Sequence, residues 1–255
     1  MSLVSDAIGI ALAIAIAGAP LTSSPVRVCA DPNNLPFSDR AGRGFENKIA
    51  ELIAKDLKRP LAYVWAPQRR GFIRNTLDAH ACDVIVGASS GIGRLATTRP
   101  YYRSSYVFVT RQDRHLRLAS FDDPRLRTLT IGIQLVGDDY ENPPPAQALA
   151  SRRLIDHVRG FMVYGDYLQR DPQRDIVDAV SDGRVDVAVV WGPVAGYYRT
   201  RVRAPLVLTS TTFSFDIAMA VRRDDRALQR ALDAVVVRRG GEIRAILGAY
   251  GVPMR

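Results

Sequence analysis

The sequence predicts an α/β protein of two lobes with a cleft between them, and three observations lead to this prediction. Short β-branched segments alternate with amphipathic helical segments over residues 26–110, as in successive βαβ units. The composition turns polar at residues 111–117, and a second alternating series follows. The last segments, from Phe215 onward, are predicted to return to the first lobe. Two chain crossings between the lobes would then form a hinge.

The first lobe is predicted from local patterns. A β-branched run at 26–30 is followed by a loop rich in Pro and Asn, and apolar residues then recur at helical spacing over 45–57. Such a loop lies at the carboxyl end of its strand, where open α/β sheets bind ligands. The other predicted elements of this lobe are strands at 61–65, 83–87 and 106–110 and a helix at 72–79.

The second lobe repeats the alternation. Its strand at 185–190 is almost wholly aliphatic, as expected where both faces of a strand are buried. Its other predicted elements are strands at 129–133, 161–164 and 206–208 and helices at 146–158, 175–180 and 194–200; the returning elements are a strand at 215–221 and helices at 225–237 and 242–250. The predicted domains are therefore 26–110 with 215–255 for lobe 1, and 111–214 for lobe 2.

The N-terminal residues 1–25 are predicted to be an export signal. An apolar run of 13 residues at 7–19 is short for a membrane span but fits a signal-peptide core, and Ala17-Gly18-Ala19 resembles a cleavage site. No Lys or Arg precedes Arg27, so a buried N-terminal helix is the alternative. The mature protein is expected to have no membrane span.

The net charge of +9 comes almost entirely from arginine, because only three of the 35 basic residues are lysine. The arginines are scattered and form no basic stripe, so nucleic-acid binding is not expected. A solvated basic surface and a patch for an acidic protein partner both remain open.

The two cysteines leave two readings open. One disulfide between Cys29 and Cys82 would suit an exported protein. However, Cys29 lies near the end of its strand and Cys82 just before the strand at 83–87, so parallel neighbouring strands would place the sulfurs at opposite ends. A bridge and a pair of buried free thiols are therefore alternatives.

No catalytic, metal or cofactor motif is found, and we predict a protein that is not an enzyme and holds no cofactor and no metal. The three histidines and two cysteines lack metal-ligand spacing. Glu46, Asp138 and Asp139 are the acids best placed for acid–base chemistry, which would require an apolar pocket.

Candidate cleft residues lie mainly in the loops after the predicted strands. Arg69 and Arg70 stand at a predicted helix start, where they oppose the helix dipole, so an acidic group in the cleft, an acid of the same lobe or solvent should offset them. Ser89, Ser90 and Arg94 form a loop suited to an anion. The full set is Asp31, Asn33, Asn34, Phe37, Glu46, Gln68, Arg69, Arg70, Ser89, Ser90, Arg94, Gln134, Gly137, Asp138, Tyr164 and Trp191.

One motif resembles the extracellular amino-acid receptors of ABC importers, which have the type II periplasmic solute-binding fold. The run from Gly87 to Arg94, followed by Arg99-Pro100-Tyr101-Tyr102, is similar to their Gly-x-Thr-x-Thr-x-x-Arg … Pro-Tyr-Tyr motif. The resemblance implies that Arg94 occupies the place of the arginine that holds the ligand carboxylate. Trp191 replaces the acid that binds the ligand ammonium, so a generic amino-acid receptor is not expected.

A narrower resemblance is to the MxaJ/XoxJ family. It runs from about Val26 to Arg255 and includes VCADPNNLPFS, GFENKIAELIAKDL, TTRPYYRSSYVFV and DVAVVWGPVAGYY. The family implies a type II fold of two αβα lobes with a two-segment hinge, a periplasmic location, and a non-catalytic role in maturing or activating a PQQ-dependent methanol or alcohol dehydrogenase engaged in the cleft. The alternative is an importer's solute-binding protein for a small anionic ligand or a PQQ-like cofactor. The loop at 88–94 and the segment at 208–214 depart from the family pattern.

Overall fold

The computed structural model describes residues 24–135, 143–162 and 171–254, which form an α/β architecture. The strands are β1 Val26–Ala30, β2 Asn33–Asn34, β3 Ser38–Asp39, β4 Leu61–Trp65, β5 Val84–Ser89, β6 Leu95–Thr97, β7 Tyr102–Arg111, β8 Ile131–Leu135, β9 Val158–Met162, β10 Val187–Trp191 and β11 Leu206–Arg222. The helices are α1 Phe45–Asp56, α2 Phe72–Asn75, α3 Pro144–Ser151, α4 Asp175–Ser181, α5 Gly192–Tyr198 and α6 Arg226–Ala249, with 3₁₀ turns at Gln112–Arg114, Pro124–Arg127, Ile155–His157 and Pro172–Arg174.

The main sheet has nine strands among the described residues, in the order β4-β1-β5-β11-β7-β10-β8-β9, with β6 also paired to β11. β1 is parallel to β4 and β5, and β8 is parallel to β9 and β10. The antiparallel pair β7–β11 lies between these two parallel regions. Each parallel region is the sheet of one lobe, and β7 and β11 run through both.

The two crossing strands are longer than predicted. β11 pairs with β7 from Leu206 to Ile217, with a register shift between Ser210 and Ser214, so the separate strands predicted at 206–208 and 215–221 are one strand. Pairing with β7 on both sides of the shift keeps the backbone extended through the Ser- and Thr-rich stretch that was predicted as a crossing between two strands. β7 likewise begins at Tyr102 rather than 106, and it first pairs with β10 at Tyr106. The exact lobe boundaries stay a prediction.

The last helix is also longer than predicted. The helices expected at 225–237 and 242–250 are one helix, α6, although Gly240 and Gly241 lie within it. Ile243 and Leu247 continue the buried face that begins at Leu228, so packing against the sheet overrides the low helix propensity of the two glycines.

Smaller differences lie at the ends of elements. α2 stops at Asn75 instead of 79, since the hydroxyl of Thr76 donates to the carbonyl of Phe72 (2.6 Å) that a further helical turn would use. α3 stops at Ser151 instead of 158, and Arg153 soon after it has a left-handed backbone with φ of 58°. β9 accordingly begins at Val158 rather than 161.

Helices cover both faces of the sheet in the second lobe. Val107 and Val109 of β7 pack with residues of α4 and α5, whereas Phe108 packs on the opposite face with Leu149 of α3. This alternation follows from the two-residue period of a strand. In the first lobe, α1 and α6 share one core with β1 and β5.

The other face of the first lobe contains a disulfide between Cys29 and Cys82, with a Cα–Cα distance of 5.5 Å. Cys29 is the register partner of Ile85, so extended strands would indeed separate the two cysteines. Residues 76–83 instead form turns and bends before β5 begins, which brings Cys82 over the sheet. Of the two alternatives that the sequence left open, a bridge and a pair of free thiols, the structure therefore has the bridge.

Most of the predicted export signal, residues 1–23, lies outside the described residues. Within the described ranges, no helix combines the length and the apolar character needed to cross a membrane.

Candidate functional site

A cavity of about 370 Å³ lies at the carboxyl ends of the parallel strands of both lobes. Asn34 and Gln68 line it from the loops after β1 and β4, and Ser89 lines it from the end of β5. Gln134 and Trp191 contribute from the ends of β8 and β10 in the second lobe. This is the position at which open α/β sheets bind ligands, and it is our candidate site.

Buried Asp31 fixes the loop that follows β1. Its Oδ1 accepts a hydrogen bond from the backbone N–H of Asn33 (2.8 Å), and its Oδ2 accepts one from the backbone N–H of Gln68 (2.7 Å). These two bonds tie the loop after β1 to the loop after β4. Asp31 therefore positions Asn34 and Gln68 without lining the cavity itself.

Four side-chain amides form a continuous hydrogen-bonded row, the amide chain, across the cleft. Asn34 Nδ2 donates to Gln68 Oε1 (2.9 Å), and Gln173 Nε2 donates to Asn34 Oδ1 (2.6 Å). Gln134 Nε2 donates to Gln173 Oε1 (2.7 Å), and the backbone N–H of Trp191 donates to Gln134 Oε1 (3.1 Å). The amide chain thus joins the first lobe to the second through neutral groups.

Two further joints connect the lobes. Leu35, from the loop after β1, is buried in the core of the second lobe, where the Tyr198 hydroxyl donates to its carbonyl (3.3 Å). On the other side, Tyr197 of α5 stacks on Tyr250 at the end of α6, with ring centroids 5.7 Å apart. Gly196 packs against Gly251 so closely that a Cβ on Gly196 would overlap the Gly251 carbonyl oxygen. These contacts are all between residues of the protein itself, and any separation of the lobes would have to break them.

Replacing Gln173 with methionine is expected to lower the free energy of unfolding by about 2 kcal/mol, because Asn34 Oδ1 and Gln134 Nε2 lose their partner in a buried place. Urea denaturation at pH 7 measures the change. Gln147→Met, at an exposed position of α3, is the matched control and should change stability by less than about 0.5 kcal/mol. Equal effects of the two substitutions would show that the amide chain contributes nothing.

Aromatic side chains form much of the cavity wall. The ring centroids of Tyr106 and Trp191 are 5.2 Å apart, those of Trp191 and Phe215 6.0 Å, and those of Tyr106 and Phe215 6.4 Å. Phe37 and Tyr102 also line the cavity. Burial raises the pKa of Tyr106 to about 12, so its hydroxyl is neutral at physiological pH.

Glu46 is the acidic group of the wall. It lies in the first turn of α1, whose first two N–H groups, of Phe45 and Glu46, donate to the carbonyls of Pro36 and Phe37 (both 2.8 Å). This close approach requires Gly44, because a Cβ there would overlap the Phe37 carbonyl oxygen. The helix start therefore fixes Glu46 beside Phe37.

The Glu46 carboxyl is enclosed but reaches the cavity. It lies against Gly87, where an added Cβ would overlap Glu46 Oε1. No arginine or lysine of the described residues makes an ion pair with it, which distinguishes it from acids such as Asp83, paired with Arg27 (2.6 Å). Burial raises the pKa of Glu46 to about 8, because the surrounding protein disfavours the charged form.

The structure brings seven of the predicted site residues together: Asn34, Phe37, Glu46, Gln68, Ser89, Gln134 and Trp191. Six others do not line the cavity: Asp31, Asn33, Arg69, Arg70, Ser90 and Arg94. Arg69 and Arg70 are exposed, and Arg94 pairs with Asp78 (2.8 Å) at the surface, so it is not placed to hold a carboxylate in the cavity. Gly137, Asp138 and Tyr164 lie outside the described residues.

The candidate set omitted several lining residues: Gly87, Ala88, Tyr102, Tyr106, Pro144, Gln173, Val194, Phe215 and Ile217. Two-residue alternation could have indicated some of them, since Tyr102 and Tyr106 share one face of β7, and Phe215 and Ile217 share one face of β11. Gln173 has no such signal, because it lies in a 3₁₀ turn without periodicity. No group of His, Cys, Asp and Glu suited to a metal ion occurs among the described residues.

No family model matches the chain, but comparisons of sequence and of structure both find similar proteins. MoxJ of Methylorubrum extorquens AM1 is 35% identical over 245 residues, which are 90% of this chain and 81% of MoxJ. The crystal structure of the periplasmic binding protein XoxJ from Methylobacterium extorquens AM1 has a TM-score of 0.74 at 33% identity, covering 90% of this chain and 99% of XoxJ. MxaJ from Methylophaga aminisulfidivorans MPT has a TM-score of 0.79 at 25% identity, covering 90% and 100%.

The α/β prediction of two lobes in the type II periplasmic binding protein fold is thereby confirmed. Coverage is nearly complete on both sides, so the similarity includes both lobes and the cleft between them. By its identity to MoxJ and its likeness to XoxJ and MxaJ, the chain belongs to the MxaJ/XoxJ family.

Proposed function

We propose that this protein is a non-catalytic accessory protein of the periplasm that holds a segment of a PQQ-dependent methanol or alcohol dehydrogenase in its interlobe cavity and assists the maturation or activation of that enzyme. The carrying observation is membership of the MxaJ/XoxJ family over 90% of the chain, combined with a cavity whose described lining residues lack the charge pair of an amino-acid receptor. A periplasmic location is supported by the Cys29–Cys82 disulfide and by the name of XoxJ as a periplasmic binding protein.

The chemistry of the cavity supports a polypeptide segment over a free amino acid. An amino acid needs a cation for its carboxylate and an anion for its ammonium group, close together. Among the described residues, the wall has no arginine or lysine, and Trp191 stands where the resemblance places the ammonium-binding acid. Aromatic rings next to side-chain amides instead suit the mixed apolar and polar surface of a peptide. The same wall gives no support for an anionic small ligand or a PQQ-like cofactor.

A capture experiment tests the proposal. The purified dehydrogenase, in its PQQ-free form, is mixed with this protein, and the complex is measured by native mass spectrometry. Ser89→Trp fills the cavity from the exposed end of β5 and is expected to weaken the complex at least about tenfold. Ser90→Trp, at the adjacent exposed residue outside the cavity wall, is the matched control and should bind as the wild type does.

Two outcomes contradict the proposal. The first is the absence of any complex with the wild-type protein at micromolar concentration. The second is equal weakening by Ser89→Trp and Ser90→Trp, which would place the contact on the surface and not in the cavity.

A further inference from the structure

The cavity wall carries only one sign of charge among the residues that the structure describes. Glu46 is its one acid, and neither arginine nor lysine lines it. This is unusual in a chain with a net charge of +9 and 35 basic residues. The basic side chains of the described residues lie elsewhere, and several form ion pairs at the surface, such as Arg94 with Asp78 (2.8 Å) and Arg152 with Asp122 (2.7 Å).

Glu46 also differs from two other enclosed acids, Asp56 and Asp83, which are paired with arginines. Asp56 is held by Arg238 and Arg239, and Asp83 by Arg27 and Arg222. These arginines lower the pKa of both aspartates, so both stay ionised. The Glu46 carboxyl has no such cation in the described residues, although its place against Gly87 is fixed. A buried carboxylate without a counterion is costly, and a cation in the cavity would remove that cost.

The rest of the wall is suited to the same kind of partner. Trp191, Tyr106 and Phe215 form a cluster with ring centroids 5.2 to 6.4 Å apart, and Phe37 and Tyr102 add two more rings. The π-face of an aromatic ring attracts an organic cation, and several rings with a carboxylate are a common arrangement around ammonium groups. The volume of about 370 Å³ has room for an alkylammonium ion of moderate size.

We infer that the cavity binds an organic cation, an alkylammonium or guanidinium group, with Glu46 as its counterion and the aromatic wall around its apolar part. The cation is either a free amine or the side chain of a lysine or arginine in a bound polypeptide. The inference deepens the proposed function. It rests on that function only where the cation is a lysine or arginine side chain of the bound polypeptide.

Glu46 makes the binding depend on pH. The titratable groups that face it are Tyr101, just before β7, Tyr102 of β7 and Tyr63 of β4, and burial raises the pKa of each above its usual value. These tyrosines stay neutral between pH 6 and 9, so Glu46, with a pKa of about 8, is the group that titrates there. Affinity for a permanently charged cation should therefore rise about tenfold for each pH unit from 6 to 8 and then level off.

Isothermal titration calorimetry with choline and tetramethylammonium tests the inference, with 3,3-dimethylbutan-1-ol as the neutral analogue of choline. The wild type should bind choline at least about tenfold more tightly than the neutral analogue at pH 8. Glu46→Gln keeps the shape of the side chain and should lose this preference while it still binds the neutral analogue. Glu51→Gln, at an exposed acid of the same helix, should bind like the wild type.

The outcomes separate the inference from the proposed function. If choline does not bind at millimolar concentration, or if Glu46→Gln binds it unchanged, the cation site is wrong even when the dehydrogenase complex forms. If choline binds but no dehydrogenase complex forms, the cation site stands and the proposed function fails. When both occur, competition by choline assigns the cation to the dehydrogenase, and a lack of competition assigns it to a free amine.

Discussion

Removal of the Cys29–Cys82 disulfide is expected to lower the free energy of unfolding by about 4 kcal/mol, as chain entropy predicts for a cross-link that closes a loop of this length. The bond spans 53 residues and so restricts much of the unfolded first lobe. Both cysteines are buried beside Phe72 and Leu77, so the folded state can keep its packing around two alanines. Urea denaturation of wild type and of the Cys29→Ala, Cys82→Ala double variant measures the difference.

Reducing agent provides the control for this experiment. Dithiothreitol should shift the wild-type midpoint toward that of the double variant and leave the double variant unchanged. A wild-type protein with two free thiols by mass spectrometry, and with the same midpoint in oxidising and reducing buffer, would contradict the prediction.

Glu46→Gln is expected to raise the free energy of unfolding at pH 9 by about 3 kcal/mol and to leave it unchanged at pH 4. Burial raises the pKa of Glu46 from 4.5 to about 8, so between these values the folded state binds one proton more than the unfolded state. The stabilising contribution of this proton is fully present below pH 4.5, falls as the pH rises, and is lost above about 8. The full pKa difference would give a larger effect, but Glu46 is only partly buried, so solvent screens its carboxylate.

Denaturation curves at pH 4, 6, 8 and 9 measure this dependence. Glu51→Gln, which removes an exposed acid paired with Lys48 (3.1 Å) on the same helix, should follow the wild-type curve over this range. If Glu46→Gln shows the same decline between pH 5 and 8 as the wild type, another group causes the decline and the assignment to Glu46 is wrong.

Sequence patterns predict the bounds of a strand or helix well where its own residues determine which of its faces are buried. The bounds of β1 and β4 agree with the structure, and the aliphatic run predicted as a strand at 185–190 contains four of the five residues of β10. The patterns fail where a partner element decides. β11 continues through its Ser- and Thr-rich part because β7 pairs with it, and α6 continues through Gly240 because the core requires Ile243 and Leu247.

The same contrast holds in the candidate site between residues placed by their own strand and residues placed by a distant partner. Asn34, Gln68, Ser89 and Trp191 were predictable because each lies at the carboxyl end of a strand or in the loop that follows it. Gln173 was not, because its place depends on Asn34, which is 139 residues away in the sequence. Arg94 matches a family motif by position, yet Asp78 holds it at the surface. Sequence position therefore located the cavity and its one acid, Glu46, but it also assigned to the site three arginines, Arg69, Arg70 and Arg94, that do not line the cavity.

The contacts that join the two lobes have a consequence for how far the lobes can move relative to each other. A receptor for an importer reports its cargo by closing its two lobes, so that the transport machinery distinguishes the loaded from the empty form. Here Leu35 is anchored in the second lobe, and Gly196 is packed against Gly251, through contacts within the protein itself. Any separation of the lobes would have to break these contacts, so they oppose the opening movement on which such a report depends. If the protein holds a segment of a partner as proposed, the same contacts would keep the two walls of the cavity at a fixed spacing.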